Sequence, residues 1–162
     1  YEEPVDGEDI QSLIEIKKLT ELRVVTGEKQ FEIPHFKQLL KESAADIFNP
    51  DIAAVGGILD MVAISKFSSK KNVKISPHCW NSMSIAASAM VHLCMSFPNT
   101  EMAEFFPEYI PYTLKFCNKN FEINTDISNL KPLNESFHGE ERVKLQYYLK
   151  SLKLDNLKSL SA

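Results

Sequence analysis

The chain has 162 residues, and its hydrophobic fraction of 44% is enough for the core of one ordinary domain. It carries 18 basic and 22 acidic residues without a block of one sign, and its net charge of −4 argues against a nucleic-acid-binding protein. Three cysteines without a CxxC motif fit reduced thiols, and neither a secretory signal nor an apolar run of about 20 residues is visible, so we expect a cytoplasmic protein without membrane contact.

Strand-like and helix-like patterns alternate through the first 106 residues. Short β-branched or apolar runs bounded by glycine or proline predict strands. Apolar side chains spaced three and four residues apart predict amphipathic helices. The first residues of the chain are predicted to be the end of one strand. Further strands are predicted at residues 22–26, 47–48, 73–75 and 100–106. The predicted helices cover residues 9–19, a stretch that begins near Pro34, residues 58–67 and residues 82–95, the last apolar nearly all round and so predicted to be buried.

This alternation predicts a parallel α/β fold. Units of about 25 residues fit a (β/α) barrel better than a repeat solenoid. We assign residues 1–107 to the carboxyl-terminal half of such a barrel. The pattern changes after that point, and residues 108–162 are predicted to be a carboxyl-terminal extension that packs outside the barrel. Because the chain opens with Tyr1 and its first residues already look like the end of a strand, we expect it to be part of a longer protein.

Four acidic or imidazole residues stand at the ends of the predicted strands. They are Glu2, Glu28, Asp51 and His78. The carboxyl ends of parallel barrel strands face a shared site, so these side chains are predicted to converge. Carboxylates there can hold a hard divalent cation. A histidine with an aspartate partner is a candidate general base.

The ordered set of motifs resembles the carboxyl-terminal half of an enolase-superfamily barrel, and its closest subgroup is that of mandelate racemase. The gaps of 26 residues from Glu2 to Glu28, 23 to Asp51 and 27 to His78 match the pattern of that subgroup. The motifs are Glu2-Glu3-Pro4, Gly27-Glu28, Asn49-Pro50-Asp51, Gly56-Gly57 and Ser76-Pro77-His78. The resemblance extends to residues 98–104, which look like the last barrel strand of the family. A glutamate faces the substrate there, and Glu104 fits that position better than Glu101.

The resemblance implies a capping domain on a modified barrel in which three carboxylates at successive strand ends hold Mg²⁺. Glu2 and Glu28 match the second and third of these ligands. Asp51 would orient and charge the imidazole of His78, which takes or gives the proton α to a carboxylate. Glu104 would hydrogen-bond a substrate carboxylate oxygen. The first ligand, a lysine base and the capping domain would precede Tyr1, so we expect this chain alone to be inactive.

The implied function is Mg²⁺-dependent abstraction of the proton α to a carboxylate, with dehydration of a sugar acid as the favoured outcome. Racemisation or epimerisation of a 2-hydroxy acid is the alternative, and it needs a second base on the opposite face. A non-catalytic half-barrel whose exposed strand edges need a partner is a third hypothesis. The expected ligand is a carboxylate-bearing small molecule, with neither nucleic acid nor membrane as a partner, and the sequence leaves homo-oligomerisation open.

Several residues also have ordinary structural interpretations. Asp51 alone would suit a helix or turn cap, and His78 a satisfied core histidine. Glu3 is interpreted as structural, because alternate residues at a strand end point away from one another. Trp80 and Asn81 follow His78 and are candidates to line the substrate pocket. The lysine-rich stretches, such as the one at residues 70–71, are interpreted as solvated surface.

Overall fold

The computed structural model describes residues 1–79, 84–104 and 106 of the chain. Helices and short strands alternate through these ranges, as the sequence predicts. They are α1 (Ile10–Leu19), β1 (Val25–Thr26), α2 (Ile33–Lys41), β2 (Ile47–Phe48), α3 (Ile58–Ser69), β3 (Lys74–Ile75) and α4 (Ser84–Ser96). The predicted extension at residues 108–162, and the candidate pocket residues Trp80 and Asn81, lie outside the described residues.

The three strands form one parallel sheet in the order β1-β2-β3. Val25 pairs with Ile47, and Ile47 pairs with Lys74. Isolated parallel bridges add Glu2 beside β1 and Thr100 beside β3. Five chain segments therefore lie side by side in sequence order, as consecutive strands of a (β/α) barrel do. The predicted parallel α/β architecture is confirmed.

The ends of the helices follow from local chemistry. Asp9 caps α1, since its carboxylate accepts hydrogen bonds from the backbone N and the Oγ of Ser12 at 3.0 and 2.6 Å. These hydrogen bonds lower the pKa of Asp9. Pro34 occupies the first turn of α2, where its missing N–H costs nothing. None of the helices in the described ranges is long and apolar enough to cross a membrane.

The helix α4 differs from its prediction. Only one side of its described part packs on the barrel, where Ala87, Met90, Val91 and Cys94 are buried. Ile85 is 82% exposed, so the prediction that this helix is buried nearly all round is wrong. A barrel helix packs on the sheet with one face only. The opposite face of α4 therefore stays exposed even though it carries apolar residues.

The core lies between the sheet and the helices that cover it. Phe36 of α2 and Phe48 of β2 are fully buried and meet edge to face, with ring centroids 5.5 Å apart. Leu13, Met61 and Ile75 extend this cluster to the other helices and β3. The core is therefore continuous beneath the sheet.

A buried polar network fixes the segment that follows α4. The Nδ2 of Asn99 donates to Ser68 Oγ at 2.9 Å and to the carbonyl of Val73 at 2.8 Å. Its Oδ1 accepts from Ser65 Oγ at 2.8 Å. All three of these side-chain bonds tie residue 99 to α3 and the start of β3. The next residue, Thr100, is thereby placed beside β3, and the acidic residues beyond it are carried towards the carboxyl ends of the strands.

Candidate functional site

The predicted site residues follow the carboxyl ends of the strands. Glu28 comes two residues after β1, and Asp51 and His78 come three residues after β2 and β3. The backbones of Asp51 and His78 form a parallel bridge of their own. Gly27 adopts φ +138°, a conformation that favours glycine, and redirects the chain immediately before Glu28. The loops thus gather at one end of the sheet, which is the active-site end in this architecture.

His78 and Asp51 form a buried pair. The Nδ1 of His78 lies 3.0 Å from Asp51 Oδ2, and the side chains are 9% and 8% exposed. The other Asp51 oxygen accepts a hydrogen bond from the backbone N of Ala53 at 2.8 Å. Because Asp51 occupies Nδ1, the ring nitrogen left to exchange a proton with a substrate is Nε2. The geometry therefore supports Nε2 as the reactive nitrogen.

Two glutamates face that nitrogen. Glu28 Oε2 lies 3.4 Å from His78 Nε2, and Glu104 Oε2 lies 3.6 Å from it. The same Glu104 oxygen accepts a hydrogen bond from the backbone N of Cys79 at 2.8 Å. Glu101, the competing candidate, is instead engaged by the guanidinium of Arg23. The structure thus brings Glu28 and Glu104 to the imidazole, whereas Glu101 is held in an ion pair.

Glu2 stands beside this group rather than within it. Its backbone bridges to β1, and its Oε1 accepts a hydrogen bond from Asn49 Nδ2 at 2.8 Å. Its negative charge nevertheless contributes to raising the pKa of Glu28, so the two carboxylates interact. Asn49 Oδ1 is a buried oxygen without a hydrogen-bond partner in the described part of the chain. Glu2 and Asn49 therefore contribute oxygen atoms that could bind a cation near the end of β1.

The arrangement fits a magnesium ion in its chemistry but supplies only part of a ligand set. Carboxylate oxygens are the ligands that Mg²⁺ prefers. Glu2 and Glu3 repel the negative charge of Glu28, and a bound cation would reduce this repulsion. Among residues 1–79, 84–104 and 106, however, no three histidine, cysteine, aspartate or glutamate side chains converge as a group that could hold a metal ion. Glu2 and Glu28 fit as two members of a larger set.

Glu28 carries the perturbed titration of the site. Its burial raises the pKa of the carboxyl, and the charges of Glu3 and Glu2 add to the rise, while His78 and Lys29 act in the opposite direction. A carboxyl group with a raised pKa beside a histidine is typical of acid–base sites. The raised pKa of Glu28 should also make the stability of the fold depend on pH.

The Glu28→Gln variant is expected to gain stability relative to the wild type as the pH rises. A raised folded-state pKa stabilises the fold most below the unfolded pKa, and this contribution is lost as the pH rises through the folded pKa. Glutamine does not titrate, so the variant has no such contribution to lose as the pH rises. Urea unfolding in EDTA, from about pH 4 to about pH 7, measures the difference. A difference that does not vary with pH, or one that the exposed-site variant Glu21→Gln reproduces, would contradict the assignment.

Glu3 has the structural role that the sequence interpretation gives it. Its Oε1 accepts hydrogen bonds from Thr26 Oγ1 and from the backbone N of Gly27, both at 2.9 Å. Its φ of +39° departs from the extended conformation, so its side chain does not follow the regular alternation of a strand. No local signal in the sequence predicts this backbone angle. Glu3 thus anchors the turn that presents Glu28.

Comparisons with known proteins agree with this geometry. Residues 1–129 match the family model described as enolase C-terminal domain-like. A crystal structure of an enolase from environmental shotgun sequencing of the Sargasso Sea is 56% identical, with a TM-score of 0.68, over 70% of this chain and 30% of that chain. An enolase from Agrobacterium radiobacter, crystallised with Na and L-malate, is 30% identical, with a TM-score of 0.62, over 65% of this chain and 27% of that chain.

Among curated relatives, D-galactonate dehydratase from Ralstonia pickettii is 32% identical over 78 residues. That match covers 48% of this chain and 20% of the relative, so the chain spans only about a fifth of the relative's length. The family match covers far more of the chain than this, and it agrees with the parallel order of strands and with the solved structures. The chain therefore belongs to the enolase superfamily, in its mandelate racemase subgroup, as the carboxyl-terminal half of the (β/α) barrel.

Proposed function

We propose that this chain supplies the general base of an Mg²⁺-dependent enzyme that removes the proton α to a carboxylate and dehydrates a sugar acid. The observation that carries the proposal is the buried pair of His78 Nδ1 and Asp51 Oδ2 at 3.0 Å. The other ring nitrogen of His78, Nε2, lies 3.4 Å from Glu28 Oε2 and 3.6 Å from Glu104 Oε2. The similarity to D-galactonate dehydratase supports a sugar acid as the substrate class.

His78 accounts for the proton movements of a dehydration. Its Nε2 takes the α-proton, and the Asp51 carboxylate at Nδ1 stabilises the imidazolium that results. The same proton is then delivered to the hydroxyl group on the neighbouring carbon, which leaves as water. Because one nitrogen takes and returns the proton, dehydration needs no second base on the opposite face of the substrate.

The carboxylates around His78 are proposed to orient the substrate. Glu2 and Glu28 would hold Mg²⁺, which when bound draws electron density from the substrate carboxylate and makes its α-proton more acidic. Glu104, whose Oε2 is fixed by the backbone N of Cys79, would hydrogen-bond a substrate carboxylate oxygen. The relative crystallised with Na and L-malate supports a fold that accommodates a cation and a dicarboxylic acid. The proposal includes a cytoplasmic location.

Isotope exchange and water loss test the function together. The protein that carries this chain is incubated in D₂O with Mg²⁺ and with D-galactonate or related six-carbon sugar acids. We expect a 2-keto-3-deoxy acid to form from at least one of them, and we expect no product after EDTA treatment. Exchange of the α-proton without loss of water would identify a racemase or epimerase instead. Neither exchange nor dehydration across the panel would refute the proposal.

A further inference from the structure

A cavity lies at the opposite end of the strands from the candidate active site. Its volume is about 770 Å³, and it opens where the strands begin, beside Asp46 before β2 and Lys74 at the start of β3. Six cationic side chains and one carboxylate line it. They are Lys17, Arg23, Lys37, Lys41, Lys71 and Lys74, with Asp46. This basic cleft concentrates positive charge in a chain whose net charge is −4.

Half of these cations have partners. Lys17 Nζ lies 2.8 Å from Asp46 Oδ1, and Asp46 Oδ2 accepts from the backbone N of Val24. Arg23 pairs with Glu101. Lys41 lies 3.5 Å from its neighbouring glutamate and stands in the last turn of α2, where a cation complements the helix dipole. These pairs account for the only carboxylate of the cleft and for three of its six positive charges.

The other three are lysines of different elements. Lys37 belongs to α2, Lys71 to the turn after α3, and Lys74 to β3. Within residues 1–79, 84–104 and 106, none of the three has a carboxylate within ion-pair distance. Because like charges brought to one cavity repel each other, an anion that bridges them would be bound favourably. The end of α2 opposes such an anion with only about half a negative charge.

The size of the cleft indicates what kind of anion it takes. Pockets for small molecules commonly measure about 300–1,000 Å³, and the basic cleft falls within that range. Leu40 and Ala45 provide an apolar surface, while Ser43 and Asn72 add hydrogen-bonding groups between the lysines. We propose that the basic cleft binds a small polyvalent anion, one that bears two or more phosphate or carboxylate groups, at a site separate from the substrate.

Calorimetric titration of the full chain tests this site. Pyrophosphate and citrate serve as probes at a constant ionic strength, and we expect saturable binding of one anion per chain. The double variant Lys37→Ala/Lys74→Ala is expected to bind at least about tenfold more weakly, since each lysine contributes a charge-assisted hydrogen bond. Lys66→Ala, which removes an exposed lysine of α3 outside the cleft, is the matched control and is expected to bind like the wild type.

Three results would overturn the proposal. One is the absence of saturable binding at constant ionic strength, and another is equal weakening in the Lys66→Ala control. The third is displacement of both probes by a short DNA duplex that binds more tightly than either, which would identify a nucleic-acid surface instead. Thermal melting of each variant verifies that it is folded, and Lys71→Ser repeats the test at a third exposed position.

Discussion

His78→Asn is expected to reduce turnover of the preferred sugar acid by at least about 10²-fold, the lower end of the contribution of a general base. Asparagine retains a polar side chain next to Asp51 but has no nitrogen that can take a proton. The buried contact at 3.0 Å should persist in part, so the fold is expected to survive. Exchange of the α-proton with D₂O should fall together with dehydration, because both depend on Nε2.

His92→Asn is the matched control for this experiment. His92 lies on α4, is exposed to solvent and belongs to no part of the candidate site. We expect this variant to retain wild-type turnover and exchange. Unchanged turnover in His78→Asn would remove the assignment of the base, whereas a loss of the circular dichroism spectrum would show that the residue supports the fold. In that case Asp51→Asn, which keeps the imidazole, would still be expected to lower turnover and shift its pH profile.

Gly27→Ala is expected to destabilise the fold by about 2–5 kcal/mol, which combines backbone strain with overpacking of the core. At φ +138°, an alanine Cβ would lie 2.7 Å from Phe36 Cε1 and 3.3 Å from the backbone N of Asn49. Phe36 is fully buried and packs edge to face on Phe48, so a shift of its ring would disturb the core. The strained turn would also displace Glu28, so activity is expected to fall with stability.

Gly57→Ala separates strain from overpacking. Gly57 has φ +85°, but an added Cβ would meet no atom within 4 Å. We therefore expect it to lose only about 1–3 kcal/mol, from the strain of a backbone conformation with φ +85° and ψ −154° that glycine alone adopts readily. Urea unfolding monitored by circular dichroism compares the two variants. Equal midpoints for Gly27→Ala and Gly57→Ala would show that contact with Phe36 does not contribute.

The order of the elements was predictable because the signals for it are local. Helical spacing, β-branched runs and stops at Gly27 and Pro50 depend on neighbouring residues only. Strand lengths were less predictable: residues 22–26 have strand-like composition throughout, but only Val25 and Thr26 form the ladder. Pairing depends on where the next strand lies, and composition does not report that position.

The ordered motifs also predicted which residues would gather at the carboxyl ends of the strands. Asp51 and His78 are 27 positions apart, which is one complete β-to-β unit, so both residues reach the same edge of the sheet. The roles of His78, Asp51, Glu104, Glu2 and Glu28 remain predictions, which the variants and assays above test.

Local patterning was thus sufficient for the alternating architecture and for the edge of the sheet at which the site residues stand. Packing in three dimensions was needed to show that Glu3 turns towards Gly27, that Arg23 engages Glu101, and that lysines from three elements share one cleft. The physical reason is that these contacts join residues far apart in the chain, so their distances depend on backbone angles and on the core rather than on neighbouring residues.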